Sequence, residues 1–223
     1  MGYYFLEESC NKDVGRNFPQ SIALQSGYDP GIENGLNKLM NCVNQLPDFE
    51  PTIDNVVLAT YAKLTDVIST AYFNHLVGKL VNQRTLDVFL QQEMPPHKVY
   101  PVSVVYKDKH YQYYWLHIIS NEHNLINFKR SKYMRTSALG GKIGEISILS
   151  YNDYIKEVER GYQGSSIEFE LLYLYSRKMN LDIFKTGAGL FNFFITGKFK
   201  SALEANEITG LTFRELPDWI HFE

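Results

Sequence analysis

Hydrophobic and polar positions divide this chain into a polar, turn-rich beginning and a longer remainder in which short apolar runs recur. Gly2-Tyr-Tyr-Phe-Leu6 is aromatic and apolar and predicts an opening strand. Asn, Asp, Gly and Pro then dominate from Glu8 to Pro51, with a turn cluster at Gly27-Tyr-Asp-Pro-Gly31. That stretch predicts irregular chain with one or two helical turns at about 32–44, where Leu36, Leu39, Met40 and Val43 recur at helical spacing. Val56–Leu58 reads as a short strand, and residues 66–70 as a small strand or a turn. A helix is predicted over about 79–92, with Leu80, Val81, Leu86, Phe89 and Leu90 on one face and Met94-Pro-Pro96 ending it.

The middle of the chain carries a hairpin signature. Tyr100–Tyr106 is β-branched and aromatic, Lys107-Asp-Lys-His110 is a polar turn, and Tyr111–Ile119 is a second strand. Tyr113-Tyr-Trp-Leu-His-Ile-Ile119 is apolar at nearly every position, which predicts a central strand covered on both faces, with Trp115 in the core. Beyond it, Gly140–Gly144 reads as a turn, Ile146–Leu149 as a short strand, and Tyr154–Arg160 and Ser166–Arg177 as helices, the second rich enough in Tyr and Phe to be partly strand. The last third predicts strands at Leu181–Lys185 and Phe191–Thr196, a helix over Lys198–Asn206 and a strand at Leu211–Leu216.

One internal echo accompanies this order. Leu76-Val-Gly-Lys-Leu80 and Ile195-Thr-Gly-Lys-Phe199 are each read as opening a helix that a strand follows, so a strand-Gly-Lys-helix-strand unit is expected twice. The expected fold is α+β: a mixed sheet flanked by helices, in one compact two-lobed domain.

Charge changes the picture only locally. The net charge is −3, from 22 basic and 25 acidic residues, so no chain-wide field favours nucleic acid or an anionic membrane. Within it, residues 1–97 are net −5, residues 98–142 net +6 and residues 143–223 net −4, which marks the middle as a candidate patch for an acidic partner. The 44% apolar content and the 16 Tyr and 14 Phe argue for a real core and against disorder. No apolar run has the length of a membrane span, and the first residues lack a basic n-region, so a cytoplasmic protein is expected. Cys10 and Cys42 alone make neither a disulfide framework nor a zinc site.

Searches for chemistry along the chain come back empty. Leu80 and Phe199 follow the two Gly-Lys pairs where a phosphate loop needs Ser or Thr, and the six histidines have no HExxH spacing. Gly164-Ser-Ser166 lacks the second glycine of a nucleophile elbow. No catalytic residue, metal or cofactor is therefore expected. What remains is the basic run Lys129, Arg130, Lys132 and Arg135, flanked by Phe128 and Tyr133, which suits docking to an acidic surface. Used alone, the same 128–135 segment could serve a nucleic-acid or small-molecule binding module instead, although the acidic chain disfavours nucleic acid.

Several segments together resemble one family, the bacterial immunity proteins of polymorphic toxin systems, in the large α/β group that ends in a Leu-Thr-Gly-Leu-x-Phe-type strand. The resemblance is carried by Leu76–Leu80 with Leu86 and Phe89 leading to Tyr100-Pro-Val102, by Tyr113–Ile119, by Leu125–Tyr133, and by Leu181–Phe184, Phe194–Thr196 and Ser201–Phe213. It covers about residues 60–216. Within the last segment Thr209, Gly210, Leu211 and Phe213 match the closing motif, and Gly210 is expected to take a positive φ between helix and strand. Asn127 departs from the Asp that members often carry, and residues 1–60 do not align. The resemblance implies a family-variable segment at 1–60, an immunity-type domain at 61–223, and a cytoplasmic protein that binds and neutralises a cognate toxin. Contact would come from the variable segment, the basic run, or both. It leaves a homo-oligomer open.

Overall fold

The computed structural model describes residues 2–53, 55–161, 164–176, 180–190 and 192–223. The chain begins with β1 (Tyr3–Glu8), β2 (Ser21–Leu24), α1 (Leu36–Met40), β3 (Val56–Leu58), β4 (Val67–Ile68), β5 (Gly78–Val81) and α2 (Gln83–Leu90). The long hairpin of β6 (His97–Tyr106) and β7 (Lys109–Ile118) follows, then β8 (Lys132–Ser137), β9 (Lys142–Ile146), α3 (Tyr151–Arg160) and β10 (Ser165–Leu174). It closes with β11 (Ile183–Phe184), β12 (Phe193–Thr196), α4 (Gly197–Ala205), β13 (Leu211–Glu215) and β14 (Ile220–Phe222). The fold is α+β with sheet predominating. Among the described residues no helix is long and apolar enough to cross a membrane.

Two units divide the chain by their contacts: residues 1–120, 181–184 and 192–214 form the first, and residues 121–180, 185–191 and 215–223 the second. The first holds a six-stranded sheet in the order β2-β3-β6-β7-β5-β4 and a four-stranded sheet in the order β11-β12-β1-β13. The larger sheet curls until its edges meet. The Ser21 amide donates to the Ser69 carbonyl at 3.1 Å, and the Ala71 amide donates to Ser21 at 3.1 Å, just beyond β4. Gln20, wholly buried, completes the seam, taking the Ser69 amide at 3.0 Å and giving its own amide protons to Lys63 and Thr65.

Strand β7 explains why its sequence is apolar at every step. Tyr113 and Trp115 point into the curled sheet, among Leu36, Ile68, Val102 and Val104. Leu116 and Ile118 point the other way, onto Leu86 and Phe89 of α2, Phe199 and Leu203 of α4, and Phe193 and Ile195 of β12. Both faces are buried, as the sequence predicts. The two-residue turn before it, Lys107 (φ 50°) and Asp108 (φ 60°), has the left-handed backbone that matches strand twist in a tight hairpin.

The structure corrects the helix expected over 79–92. Residues 78–81 form β5, buried at all four positions and paired with β7 and β4, and the helix begins only after Asn82. Sheet burial on both edges outweighs a helical pattern of modest propensity. The true start is a cap: the Asn82 side chain accepts from the Thr85 amide at 3.0 Å. Leu90, expected on the apolar face, is exposed. Gly78 does not turn the chain into a helix. A Cβ there would lie 2.3 Å from the Leu116 carbonyl oxygen and 2.7 Å from the Trp115 ring, so glycine lets β5 and β7 approach.

The Gly-Lys echo is therefore out of register, although a real repeat lies beneath it. Asp66 precedes β4, which pairs antiparallel with β5, and the Asp66 carboxylate takes the Asn82 side chain at 2.7 Å and Arg84 at 2.7 Å. Asp182 precedes β11, which pairs antiparallel with β12, and its carboxylate takes Thr196 at 2.8 Å and Lys198 at 2.8 Å. Asn82 and Thr196 are the caps of α2 and α4, and Arg84 and Lys198 each sit two residues beyond. In this alignment Gly197-Lys198 corresponds to Gln83-Arg84, not to Gly78-Lys79. Burial alone would raise the Asp66 carboxyl, but hydrogen bonds from Thr209, Arg84 and Asn82 hold it below the usual carboxylate range. Asp182 is lowered in the same way, desolvation being outweighed by Lys198, Thr196 and the Glu93 amide.

The second unit is a four-stranded sheet in the order β14-β10-β8-β9, with α3. Here residues 165–174 are strand and not helix, the strand character that the Tyr and Phe content suggested: Ile167 and Phe169 are buried and Glu168 is exposed, a period of two. The strand expected at 146–149 lies earlier, at β9, and β2, β8 and β14 were not foreseen. Arg177 and Phe191, at the ends of two expected elements, lie outside the described residues.

Candidate binding surface

The basic run does not make one patch. Lys129 and Lys132 are exposed on the rim of an open hollow of about 360 Å³, whose floor includes Phe128 and Tyr133 and whose far wall includes Glu145. Arg130 lies elsewhere: its guanidinium sits 4.1 Å over the Tyr173 ring and pairs with Glu223. Asn127 helps hold that carboxylate, donating to it at 2.5 Å. Arg135 alternates to another face of β8, where it donates to the Glu157 carboxylate at 2.8 Å and the Glu157 carbonyl at 2.9 Å. Only 13% of the Arg135 side chain is exposed, so its fork is already spent on α3. Strand alternation separates neighbours in sequence, and the two guanidiniums best suited to a partner's carboxylates are held internally.

The closing motif is positioned by the first aspartate tether. The Thr209 amide and hydroxyl donate to Asp66 at 2.8 and 2.6 Å, and the Val67 amide returns a bond to the Thr209 carbonyl at 3.0 Å. Gly210 has φ 88°, as expected, and a Cβ there would lie 2.1 Å from the Val67 carbonyl oxygen. Leu211 and Phe213 are half-buried against the α2 and α4 core. Trp115 is 1% exposed, and its indole N–H donates to His117 Nδ1 at 3.2 Å, which leaves the His117 Nε2 proton for the Cys42 carbonyl at 2.8 Å. These residues build the fold, their bonds and packing directed at α2, α4 and the strand that follows Asp66 and, for Trp115, at the interior of the curled sheet.

A different surface is assembled from residues scattered through the acidic first segment. The single helical turn Lys12–Val14 and Gly15 lie against residues 61–63: the Arg16 amide donates to the Tyr61 carbonyl at 3.0 Å, and the Lys63 amide donates to Val14 at 3.0 Å. Gly15 has φ 100°, and a Cβ would lie 2.3 Å from the Tyr61 carbonyl oxygen, so only glycine allows this approach. The result is an open hollow of about 640 Å³ lined by Lys12, Gly15, Arg16, Tyr61 and Lys63. The Arg16 guanidinium is 5.8 Å from the Tyr61 ring centre, and Lys63 Nζ donates to the Lys12 carbonyl at 2.9 Å.

Large apolar side chains continue this surface along the same two segments. Tyr61 is 65% exposed, Ile22 58% and Phe18 55%, and the Tyr72 hydroxyl reaches across to the Ile22 carbonyl at 2.8 Å. A single exposed apolar residue is ordinary. Four of them fall on the segments 12–22 and 61–72, which also carry the three cations and are joined by backbone hydrogen bonds, and together they have the aromatic and arginine composition of interface anchors. Sequence reading passed over these cations because none neighbours another along the chain; the usable signals were Gly15 and the fact that no acidic residue adjoins Arg16 or Lys63.

No protein-family model matches the chain, and no curated protein matches it.

Proposed function

We propose that this protein works by binding another protein, and that it is an immunity protein which neutralises a cognate bacterial toxin. The observation that carries the reading is the exposed set Arg16, Phe18, Ile22, Tyr61 and Tyr72 on the hydrogen-bonded segments 12–22 and 61–72. It lies largely within the first 60 residues, the part of the chain where the family resemblance fades and where partner-specific contacts belong. A complex of the usual size buries ~1,200–2,000 Å², with a few aromatic or Arg side chains dominating. Inhibition of this kind needs only occlusion of the toxin, and no catalytic group in the inhibitor.

The test uses the gene beside this one. Its product should arrest growth when expressed alone, should be harmless when this chain is co-expressed, and should co-purify with it. Tyr61→Ala should weaken the complex at least tenfold while leaving the fold intact. A harmless neighbour, or a toxic one that neither binds nor is neutralised, refutes the reading.

A further inference from the structure

We infer that the Lys12–Arg16–Lys63 hollow is a docking site for a short acidic segment of a protein, read as two or more carboxylates flanking a side chain that packs on Tyr61. The source of the segment rests on the protein-binding reading above; the carboxylate chemistry rests on the hollow alone. Residues 1–97 contain only six basic side chains. Of the other three, Lys79 is buried against Glu8, Arg84 is paired with Asp66, and Lys38 lies 4.3 Å over the Phe49 ring. Lys12, Arg16 and Lys63 make no ion pair among the described residues, and no carboxylate lines their hollow. The nearest one in sequence, Asp13, is turned to the Ser9 hydroxyl at 2.8 Å.

Three like charges held together by backbone bridges repel one another, and salt relieves this only in part over such distances. The local geometry nevertheless enforces the cluster. Gly15 brings the two segments into contact, and the Lys63 ammonium spends one proton on the Lys12 carbonyl and keeps two for a ligand. Arg16 presents a planar fork beside an exposed ring, which suits a carboxylate attached to an apolar or aromatic body. A long polyanion fits less well. The lining holds three cations in one hollow, which a short acidic stretch can engage in full, and it does not offer the extended track of cations that a nucleic-acid backbone uses.

The experiment is a titration of the full-length, isotope-labelled chain with hexaglutamate, followed by NMR, with a twelve-nucleotide single strand as a second probe. Hexaglutamate should shift the amides of Gly15, Arg16, Ala62 and Lys63 saturably, with affinity falling about tenfold or more from low to physiological salt. The exposed double variant Arg16→Glu/Lys63→Glu should keep its spectrum elsewhere and lose those shifts. Absence of saturable shifts overturns the proposal, as do shifts that survive the double variant, or tighter binding of the oligonucleotide. Failure of toxin neutralisation with hexaglutamate binding intact would refute the immunity reading and leave the acidic docking site standing. Intact neutralisation with no hexaglutamate response would do the reverse.

Discussion

Two groups of cations in this molecule behave in opposite ways. Lys129, Arg130, Lys132 and Arg135 are neighbours in sequence, yet the sheet of the second unit scatters them: two rim one hollow, one stacks on Tyr173, and one is buried against Glu157. Lys12, Arg16 and Lys63 are strangers in sequence, and the bridge between Gly15 and Ala62 gathers them around one hollow. Charge density along a chain is therefore a poor guide to charge density in space. What decides is whether the backbone between two cations alternates, as in β8, or folds back, as at Gly15.

The largest expected effect tests the scaffold on which the gathered group hangs. Trp115→Ala empties the middle of the curled sheet and should destabilise the protein by ~3–5 kcal/mol, read by denaturant unfolding. The variant should also lose the dispersed amide signals of Gly15 and Ala62; an unchanged midpoint would mean the ring is not core. Gly15→Ala comes next. Its positive φ and the clash with Tyr61 should cost about 1–3 kcal/mol, and a variant of unaltered stability with unaltered local shifts would remove the claim that glycine gathers the cations.

Arginine truncation then separates the two groups directly. Arg135→Ala leaves Glu157 only its exposed pair with Arg160 and should cost about 1–2 kcal/mol, whereas Arg16→Ala, exposed and unpaired, should stay within about 0.5 kcal/mol. Equal losses would erase the contrast between a committed and a free guanidinium. The smallest effect is expected from Lys129→Glu/Lys132→Glu, which should leave stability within about 0.5 kcal/mol and toxin affinity within about threefold. A fall in affinity as steep as that of Arg16→Glu/Lys63→Glu would return the basic run to the interface.

The legible parts of the fold were those whose pattern has one physical reading. The β6–β7 hairpin, the doubly buried run at 113–118, the helices α3 and α4 and the left-handed Gly210 all follow from local sequence. Strand β5 did not, and β10 did so only in part, because burial on both edges or a bulge at Phe169–Leu171 distorts the periodicity that separates strand from helix. The tether behind the internal echo was hidden because its members, Asp66 with Asn82 and Asp182 with Thr196, are ordinary residues until strand pairing aligns them. The candidate surface was hidden for the same reason: non-local pairing, not composition, puts Arg16 beside Tyr61.

The position of β1 in its sheet has a consequence for how the protein is made. Tyr3 pairs with Thr196, and β1 lies between β12 and β13, so β1 has no strand partner until residues 193 onward have been made. At ~5–20 residues per second the wait is about 10–40 s. Throughout it Tyr3-Tyr-Phe-Leu6 is an unpaired apolar strand, and Asp66 cannot meet Thr209. Segments joined across such separations close slowly even once present. The four-stranded sheet of the first unit thus closes only after residues 193–215 have been made, whereas the six-stranded sheet, whose strands all lie within residues 21–118, is free to pair earlier.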